Sequence, residues 1–130
     1  MIKNLSHISL STNSLKKVYN FYVKLLGLKI VHKFVNKNTK EVYGYFISSN
    51  NNTFLEFFKS KKKINFKRND PFRHVCFEVK DLKKVAKKFK SKKPIIKRGK
   101  TDNILQFMVK DNEGNLIEFH QRDKRSKFKL

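Results

Sequence analysis

Hydrophobic and polar residues alternate along two stretches of the chain that resemble one another. The first stretch covers residues 5–10 (LSHISL) and the second covers residues 72–77 (FRHVCF). Alternation with a period of two is typical of a strand that buries one face. Seven residues after the histidine of each stretch stands a residue that can cap a helix, Ser14 in the first copy and Asp81 in the second. A repeat of this length predicts a duplicated supersecondary unit.

The first copy has the pattern of one strand, one helix and three further strands. After the strand at about 5–10, Asn13 or Ser14 begins a helix that Gly27 ends. The apolar stripe of this helix consists of Leu15, Val18, Tyr22 and Leu25. Polar turns at 36–38 and 49–52 separate the next strands, which are predicted at about 28–35, 40–48 and 53–59.

The second copy repeats this order. A strand at about 73–79 is followed by a helix that Asp81 caps and that Pro94 prevents from continuing. Three strands are predicted after the helix, at about 94–98, 103–110 and 115–121. The tail, residues 122–130, is charged and is expected to be loose.

Together the copies predict one α+β domain that spans residues 1–130. Module one covers about 5–59, a basic linker 60–71, module two about 72–121, and the tail 122–130. Each module is a βαβββ unit that covers only one face of its sheet with a helix. We therefore expect two paired modules that form a curved mixed sheet, with the helices outside and a metal-binding cleft inside.

Composition narrows the compartment and the class of protein. The 130 residues suffice for one domain with a real core, and no apolar run approaches the roughly 20 residues of a membrane helix. Cys76 is the only cysteine, so no internal disulfide is possible. A single cysteine and the lack of a signal peptide pattern predict a cytoplasmic protein with no membrane partner.

The net charge of +22 is extreme and comes mainly from lysine. Such a charge attracts anions, nucleic acid included. Nucleic-acid readers tend to use arginine, however, and the chain shows no helix-turn-helix or finger pattern. The charge therefore favours a compositional bias with incidental attraction of anions over a nucleic-acid partner.

Strand parity places four candidate metal ligands on equivalent faces of the two copies. Ile117 and Phe119 suit the helix-packed face of the last strand, so Glu118 faces the other way, and by the same alternation so does Glu56. The histidines at the start of each copy, His7 and His74, complete the set. Imidazole and carboxylate together are ligands of Zn, Ni, Co, Mn or Fe, so we expect one divalent ion of undetermined identity. The competing interpretation is a degenerate site in which the four residues only form hydrogen bonds.

Two further residues share the face of Glu118. Cys76 is interpreted as a small buried hydrophobe in preference to a substrate contact. His120 is expected either to support a ligand from the second shell, to contact the substrate, or to lie at the solvent edge.

Three segments resemble a known family. They are HISL at 7–10, FYVKLLGL at 21–28 and KDNEGNLIEF at 110–119. In combination they are similar to the glyoxalase/bleomycin resistance/extradiol dioxygenase superfamily, also called vicinal oxygen chelate proteins, over residues 5–121. The resemblance implies paired βαβββ modules and a divalent metal in the cleft. It also implies a homodimer, because in this family modules of two protomers often pair to build one site.

The ligand set most resembles that of bacterial-type glyoxalase I. In that type a fourth ligand, here Glu56, joins His7, His74 and Glu118. The implied activity is a lactoylglutathione lyase type of isomerisation of a small oxygen-chelating substrate through an enediolate. Glu118 and Glu56 are both candidates for the base that moves the proton.

Alternative functions on the same scaffold remain open. Fosfomycin-type thiol transferases and extradiol dioxygenases typically use three ligands, which here would be His7, His74 and Glu118. A small-molecule binding protein without turnover is the third possibility. The chain departs from glutathione-using glyoxalases at Ser11 and Ser60, where they carry an arginine and an asparagine that contact the glutathione moiety.

Overall fold

The computed structural model describes residues 1–50, 52–65 and 72–127. Within these ranges the chain forms eight strands: β1 His7–Thr12, β2 Lys29–Val35, β3 Val42–Ser48, β4 Phe54–Lys59, β5 Val75–Glu78, β6 Lys97–Arg98, β7 Leu105–Lys110 and β8 Leu116–Gln121. The predicted strands are all present, and most of their ends lie within two or three residues of the predicted ones. The strand predicted at about 94–98 is shorter than expected, since only Lys97–Arg98 pairs with a neighbouring strand.

The two sheets have the same topology. In the described residues the strand orders are β1-β4-β3-β2 and β5-β8-β7-β6, and neither sheet closes on itself. β1 runs parallel to β4, and β5 runs parallel to β8. The other neighbouring strands run antiparallel. The chain divides into two compact units, Met1–Asn65 and Phe66–Leu130, each containing one sheet. The predicted fold class is therefore confirmed as α+β with two βαβββ modules.

The helix of the first unit differs from the expected regular α-helix. Ser14 caps it by accepting a hydrogen bond from the backbone N–H of Lys17. The α-helical part, α1, covers only Leu15–Val18, and a π-helix continues over Tyr19–Leu25. The wider π turn places two consecutive aromatic residues, Phe21 and Tyr22, in the core. Gly27 follows in the left-handed conformation, with φ +75°, as expected of a residue that ends a helix.

The helix rests on one face of the first sheet. Leu55 and Phe57 of β4 are buried beneath it, and the Tyr22 and Phe57 ring centroids are 4.8 Å apart. Phe54, Glu56 and Phe58 alternate with them and therefore point to the opposite face. The packing of the helix thus decides which side chains are left to form a site.

The helix of the second unit begins as predicted, but its α-helical part is short. The Asp81 carboxylate accepts a hydrogen bond from the Lys84 N–H at 2.9 Å. The α-helix, α2, covers Leu82–Lys87, and a short 3₁₀ helix follows at Lys90–Lys92. The helical segment therefore ends before Pro94, at Lys93, whose φ of 47° is left-handed. The helical segment stops directly before Pro94, which agrees with the prediction that the helix does not continue past this proline.

The tail is ordered up to Lys127, which corrects the prediction of a loose end. Asp123 forms a paired salt bridge with Arg98, and these hydrogen bonds lower the pKa of the Asp123 carboxyl to about 2. Ser126 is buried, and the Lys127 N–H donates to the Asp102 carbonyl. The charged composition suggested a loose tail because the partners of its charges lie far away in sequence. Residues 128–130 of the predicted tail, 66–71 of the predicted linker and 51 of a predicted turn lie outside the described residues.

The edge strand β2 of the first sheet carries mostly exposed side chains. β2 lies at the end of the strand order, and Val31 and Val35 are largely accessible on it. Lys29 and Lys33 alternate with these valines and are exposed as well. Elsewhere in the fold, none of the helices in the described part of the chain is long and apolar enough to cross a membrane.

Gly44 is required by the close approach of two phenylalanine rings to β3. A Cβ at this position would lie 2.7 Å from the Phe58 ring, 2.8 Å from the Phe57 carbonyl oxygen and 3.0 Å from the Phe34 ring. The carbonyl belongs to the neighbouring strand and cannot move without disturbing the ladder. The glycine therefore allows the rings to cover this face of the sheet.

Gly44→Ala should lower the free energy of unfolding by about 1–3 kcal/mol, since the added methyl group overlaps with a backbone atom. Urea denaturation followed by circular dichroism measures the change. Gly27→Asn is the matched control, because nothing lies within 4 Å of a Cβ at Gly27 and asparagine tolerates its positive φ. Equal stability of Gly44→Ala and the parent protein would contradict the described approach of the rings.

Candidate functional site

The first unit brings His7 and Glu56 together on the open face of its sheet. β1 and β4 pair in parallel with Ser9 beside Glu56 and His7 beside Phe54. This register places His7 Nε2 4.0 Å from Glu56 Oε2. Only 16% of the Glu56 side chain is exposed, so the carboxylate is largely withdrawn from water.

Aromatic rings surround this pair. Phe46 lies directly across from Glu56 in the β3–β4 ladder, and its ring contacts His7 edge-on with centroids 5.6 Å apart. Phe46 also stacks on Phe54, and Phe34 packs against Phe58 on the same face. A carboxylate among phenyl rings has few dipoles to replace its lost hydration, which makes a cationic partner favourable.

The second unit brings His74 and Glu118 together in the equivalent way. His74 comes directly before β5, and its Nε2 lies 3.1 Å from Glu118 Oε2. The Glu118 side chain is 11% exposed. In β8 it stands between Ile117 and Phe119, which are buried on the helix side as predicted.

Two further donors lie beside Glu118. Cys76 pairs with Glu118 in the β5–β8 register, and Cys76 Sγ lies 3.4 Å from His120 Nδ1. The same nitrogen is 3.9 Å from Glu118 Oε1. Cys76 is exposed, so its interpretation as a small buried hydrophobe was wrong. The sequence indicates that both residues share the face of the candidate ligands, because Cys76 follows His74 by two residues and His120 follows Glu118 by two.

The environment of Cys76 opposes its ionisation. Although the residue as a whole is exposed, its sulfur lies against His120 and Glu118, and this partial desolvation, followed by the charge of Glu118 and a hydrogen bond to it, raises the pKa of Cys76 to about 12. Glu78 contributes least to this rise. Glu78 itself forms a paired salt bridge with Arg122, whose hydrogen bonds lower the pKa of the Glu78 carboxyl. Arg122 therefore offsets the charge of Glu78, whereas Glu118 acts on the thiol directly.

The donor atoms in each unit lie close to the separation of two ligands of one metal ion. Bonds of the usual length to a tetrahedral zinc ion place two donor atoms about 3.4–3.6 Å apart. The histidine–glutamate separations of 4.0 Å in the first unit and 3.1 Å in the second lie on either side of this value. Each pair therefore fits a divalent cation by its chemistry, and small side-chain adjustments would bring its spacing into this range. That all four residues surround one ion stays a prediction.

Comparison with known protein families agrees with the repeated topology. The family model described as the Glyoxalase/Bleomycin resistance protein/Dioxygenase superfamily matches residues 4–119. No curated protein matches the chain.

Solved structures show the same fold over nearly the whole chain. A glyoxalase family protein from Enterococcus faecalis is 18% identical, with a TM-score of 0.73 over 91% of this chain and 97% of that one. A lactoylglutathione lyase from Agrobacterium tumefaciens is 17% identical, with a TM-score of 0.66 over 92% of this chain and 94% of that one. A genomically encoded fosfomycin resistance protein from Listeria monocytogenes is 14% identical, with a TM-score of 0.68 over 98% and 100%. At these identities the likeness shows the fold alone.

Cys76 should react slowly with iodoacetamide in the metal-free protein. With a pKa of about 12, only about one thiol in 10⁴ is ionised at about pH 8, and the thiolate is the reactive form. Glu118→Gln removes a neighbouring negative charge, so it should lower the pKa of Cys76 and speed alkylation by about tenfold for each unit of the decrease. Mass spectrometry over a time course measures the rate.

Glu78→Gln is the control for this experiment. Its effect on the alkylation rate should be smaller, because Arg122 already offsets the Glu78 charge. A larger acceleration by Glu78→Gln than by Glu118→Gln would contradict the described contacts of the thiol.

Proposed function

Because the chain belongs to the glyoxalase/bleomycin resistance protein/dioxygenase superfamily, we propose that it is a metal-dependent lyase or isomerase of the glyoxalase I type. The observation that carries this proposal is the duplicated histidine–glutamate pair, His7 with Glu56 and His74 with Glu118. A three-ligand enzyme of this superfamily does not need the second glutamate. The substrate class is a small molecule with two neighbouring oxygens, which a thiol adduct of a ketoaldehyde would provide.

Four residues would hold the metal ion: His7, Glu56, His74 and Glu118. Imidazole nitrogen and carboxylate oxygen suit Zn, Ni, Co, Mn or Fe(II), and the donor set does not select one of them. A bound divalent ion would supply Lewis acidity, which makes the hydrogen on the carbon beside the substrate oxygens acidic. The two histidines would fix the ligand geometry, and their ring orientation is already set by the contacts with Phe46 and Glu118.

A glutamate would move the proton between the two neighbouring carbons of the substrate. The contacts of the two carboxylates differ, because Glu118 lies near two histidines and Glu56 near one. Glu118 is therefore the more firmly held of the two, and its removal should cost more metal affinity. Either carboxylate can act as the base, with an expected contribution of about 10²–10⁴-fold in rate.

The rings around Glu56 would hold the apolar part of the substrate and exclude water. Phe34, Phe46 and Phe58 form this aromatic wall on the face that carries the carboxylate. Exclusion of water protects a reactive carbanion-like species from side reactions. The excess of lysine would raise the local concentration of an anionic substrate.

Ser11 and Ser60 favour a substrate other than a glutathione adduct. The Ser60 hydroxyl donates to the carbonyl of Lys62 at 2.7 Å, so it is engaged in a local turn. Neither serine provides the arginine or asparagine that contacts glutathione in glutathione-using enzymes of this type.

A homodimer in the cytoplasm completes the proposal. Pairing of modules from two protomers is common in this superfamily, and the open sheet faces of this chain carry apolar residues that pairing would cover. A single cysteine fits a reducing compartment.

The alternative is a three-ligand enzyme, either a thiol transferase of the fosfomycin type or an extradiol dioxygenase. The wider separation of His7 and Glu56, 4.0 Å against 3.1 Å for His74 and Glu118, favours this alternative. In that case Glu56 would not be a ligand. A binding protein without turnover would keep the fold and lack activity with every substrate tested.

The four-residue site formed by His7, Glu56, His74 and Glu118 should bind about one divalent ion per protomer. Elemental analysis after chelation and reloading with Mn²⁺, which prefers oxygen and nitrogen ligands to thiolate, measures the stoichiometry. His7→Ala combined with His74→Ala should abolish this binding, whereas His32→Ala, which changes an exposed histidine, should leave it intact. Unchanged binding in the double variant would contradict the metal site.

Glu56→Gln and Glu118→Gln should each lower turnover at least about 10²-fold, because one carboxylate is the base and both are ligands. The assay uses the metal-loaded protein with methylglyoxal and a panel of thiols, and metal content is determined for each variant. A Glu56→Gln protein that keeps its metal and most of its activity would reject the isomerase and support the three-ligand alternative. Glu41→Gln is a matched control, since Glu41 is exposed and bonded to Lys59.

A further inference from the structure

The second unit carries more cation donors than the proposed reaction uses. Besides His74 and Glu118, its open face presents the Cys76 thiol and the His120 imidazole. Neither of these has a counterpart at the equivalent position of the first unit, where Ser9 corresponds to Cys76 and Phe58 to His120. The extra donors are therefore specific to this unit.

Three of these donors form a compact group. One donor atom from each of Cys76, Glu118 and His120 lies within 4.8 Å of the others. The separations are 3.4 Å from Sγ to Nδ1 and 3.9 Å from Nδ1 to Glu118 Oε1. The first equals the lower end of the roughly 3.4–3.6 Å between neighbouring ligands of a tetrahedral zinc ion, and the second lies slightly above this range. Small side-chain adjustments would suffice to bind a cation.

The backbone under this group is fixed by ladder pairing. Cys76 and Glu118 are paired across β5 and β8, and His120 is two pairs further along, beside Glu78 and on the same face. The alternate residues Ile117 and Phe119 are buried in the core and hold β8 in this register. A site on two paired strands with a packed core beneath is preorganised more firmly than one on loops.

Glu118 has a carboxylate oxygen available on each side. Its Oε2 faces His74 at 3.1 Å, whereas its Oε1 faces His120 at 3.9 Å. The two oxygens can therefore serve two different ligand groups. A cation held by Cys76 and His120 does not require the position at which His74 and Glu118 Oε2 would bind the catalytic ion.

We propose that Cys76, His120 and Glu118 bind a second, thiophilic divalent cation, such as Zn²⁺, at a site lying wholly within the second unit. One thiolate, one imidazole and one carboxylate form a ligand set that is typical of zinc, with a fourth position open to water. The thiolate separates this site from the oxygen- and nitrogen-only site of the proposed reaction, since soft ligands select Zn²⁺ over Mn²⁺ or Mg²⁺. Binding forms a metal–sulfur bond and releases the thiol proton to the solvent. The two proposals share Glu118 and are otherwise independent.

Co²⁺ is the spectroscopic probe for this site. Titration of the metal-free protein with Co²⁺ should produce a thiolate-to-cobalt charge-transfer band in the near ultraviolet, and an excess of Zn²⁺ should remove it. Cys76→Ser, a nearly isosteric change at an exposed position, should abolish the band and keep the fold. His120→Ala should weaken Co²⁺ binding at this band at least about tenfold, whereas His32→Ala should leave it unchanged.

His7→Ala separates this site from the one that the proposed reaction requires. Retention of the thiolate band in His7→Ala, together with loss of one equivalent of bound Mn²⁺, supports two sites. Retention of the band without any change in Mn²⁺ binding rejects the glyoxalase-type ligand set and supports the thiolate site. Loss of the band in His7→Ala would place Cys76 around the same ion as His7 and overturn the second site. Absence of the band in the parent protein would overturn it as well.

Discussion

The parallel pairing of the first and last strand in each unit is the constraint on which both the core and the candidate site depend. β1 pairs with β4 and β5 pairs with β8, and the pleat sends alternate side chains to opposite faces. The register that buries Phe57 and Phe119 on the helix side therefore places Glu56 and Glu118 on the other side. A slip by one residue would bury the carboxylates in the core and expose the rings. Fold and site are consequently specified by the same interaction.

Two carboxylates are kept largely out of water by this arrangement, and their surroundings differ. Glu56 lies among phenyl rings with one imidazole nearby, whereas Glu118 lies among a thiol and two imidazoles. Burial of a charge with incomplete polar compensation costs stability, and such costs are typical of sites that gain a ligand. The two units therefore share one backbone geometry but differ in the side chains around the carboxylate. These side chains are mostly apolar in the first unit, whereas in the second they include several potential metal ligands.

The sequence predicted the parts of the structure that local patterns decide. The alternation of residues predicted the strands, Ser14 and Asp81 cap their helices as predicted, and Gly27 has the predicted positive φ. These features were predictable because each of them depends on residues that are neighbours in the sequence. The widening of the first helix was not predictable, because it depends on how Phe21 and Tyr22 pack on a sheet formed later in the chain. The ordered tail and the contact of Cys76 with His120 depend on residues 25 to 44 positions apart, which periodicity alone cannot pair.

The exposed edge formed by β2 gives the lysine-rich composition a second physical meaning. A free edge strand with accessible valines is a template on which other chains can add strands. Lys29 and Lys33 place positive charge along this edge, and the net charge of +22 makes any two copies repel one another at long range. The charge thus opposes aggregation of the chain through its own sheets, and this protection weakens as salt screens the repulsion.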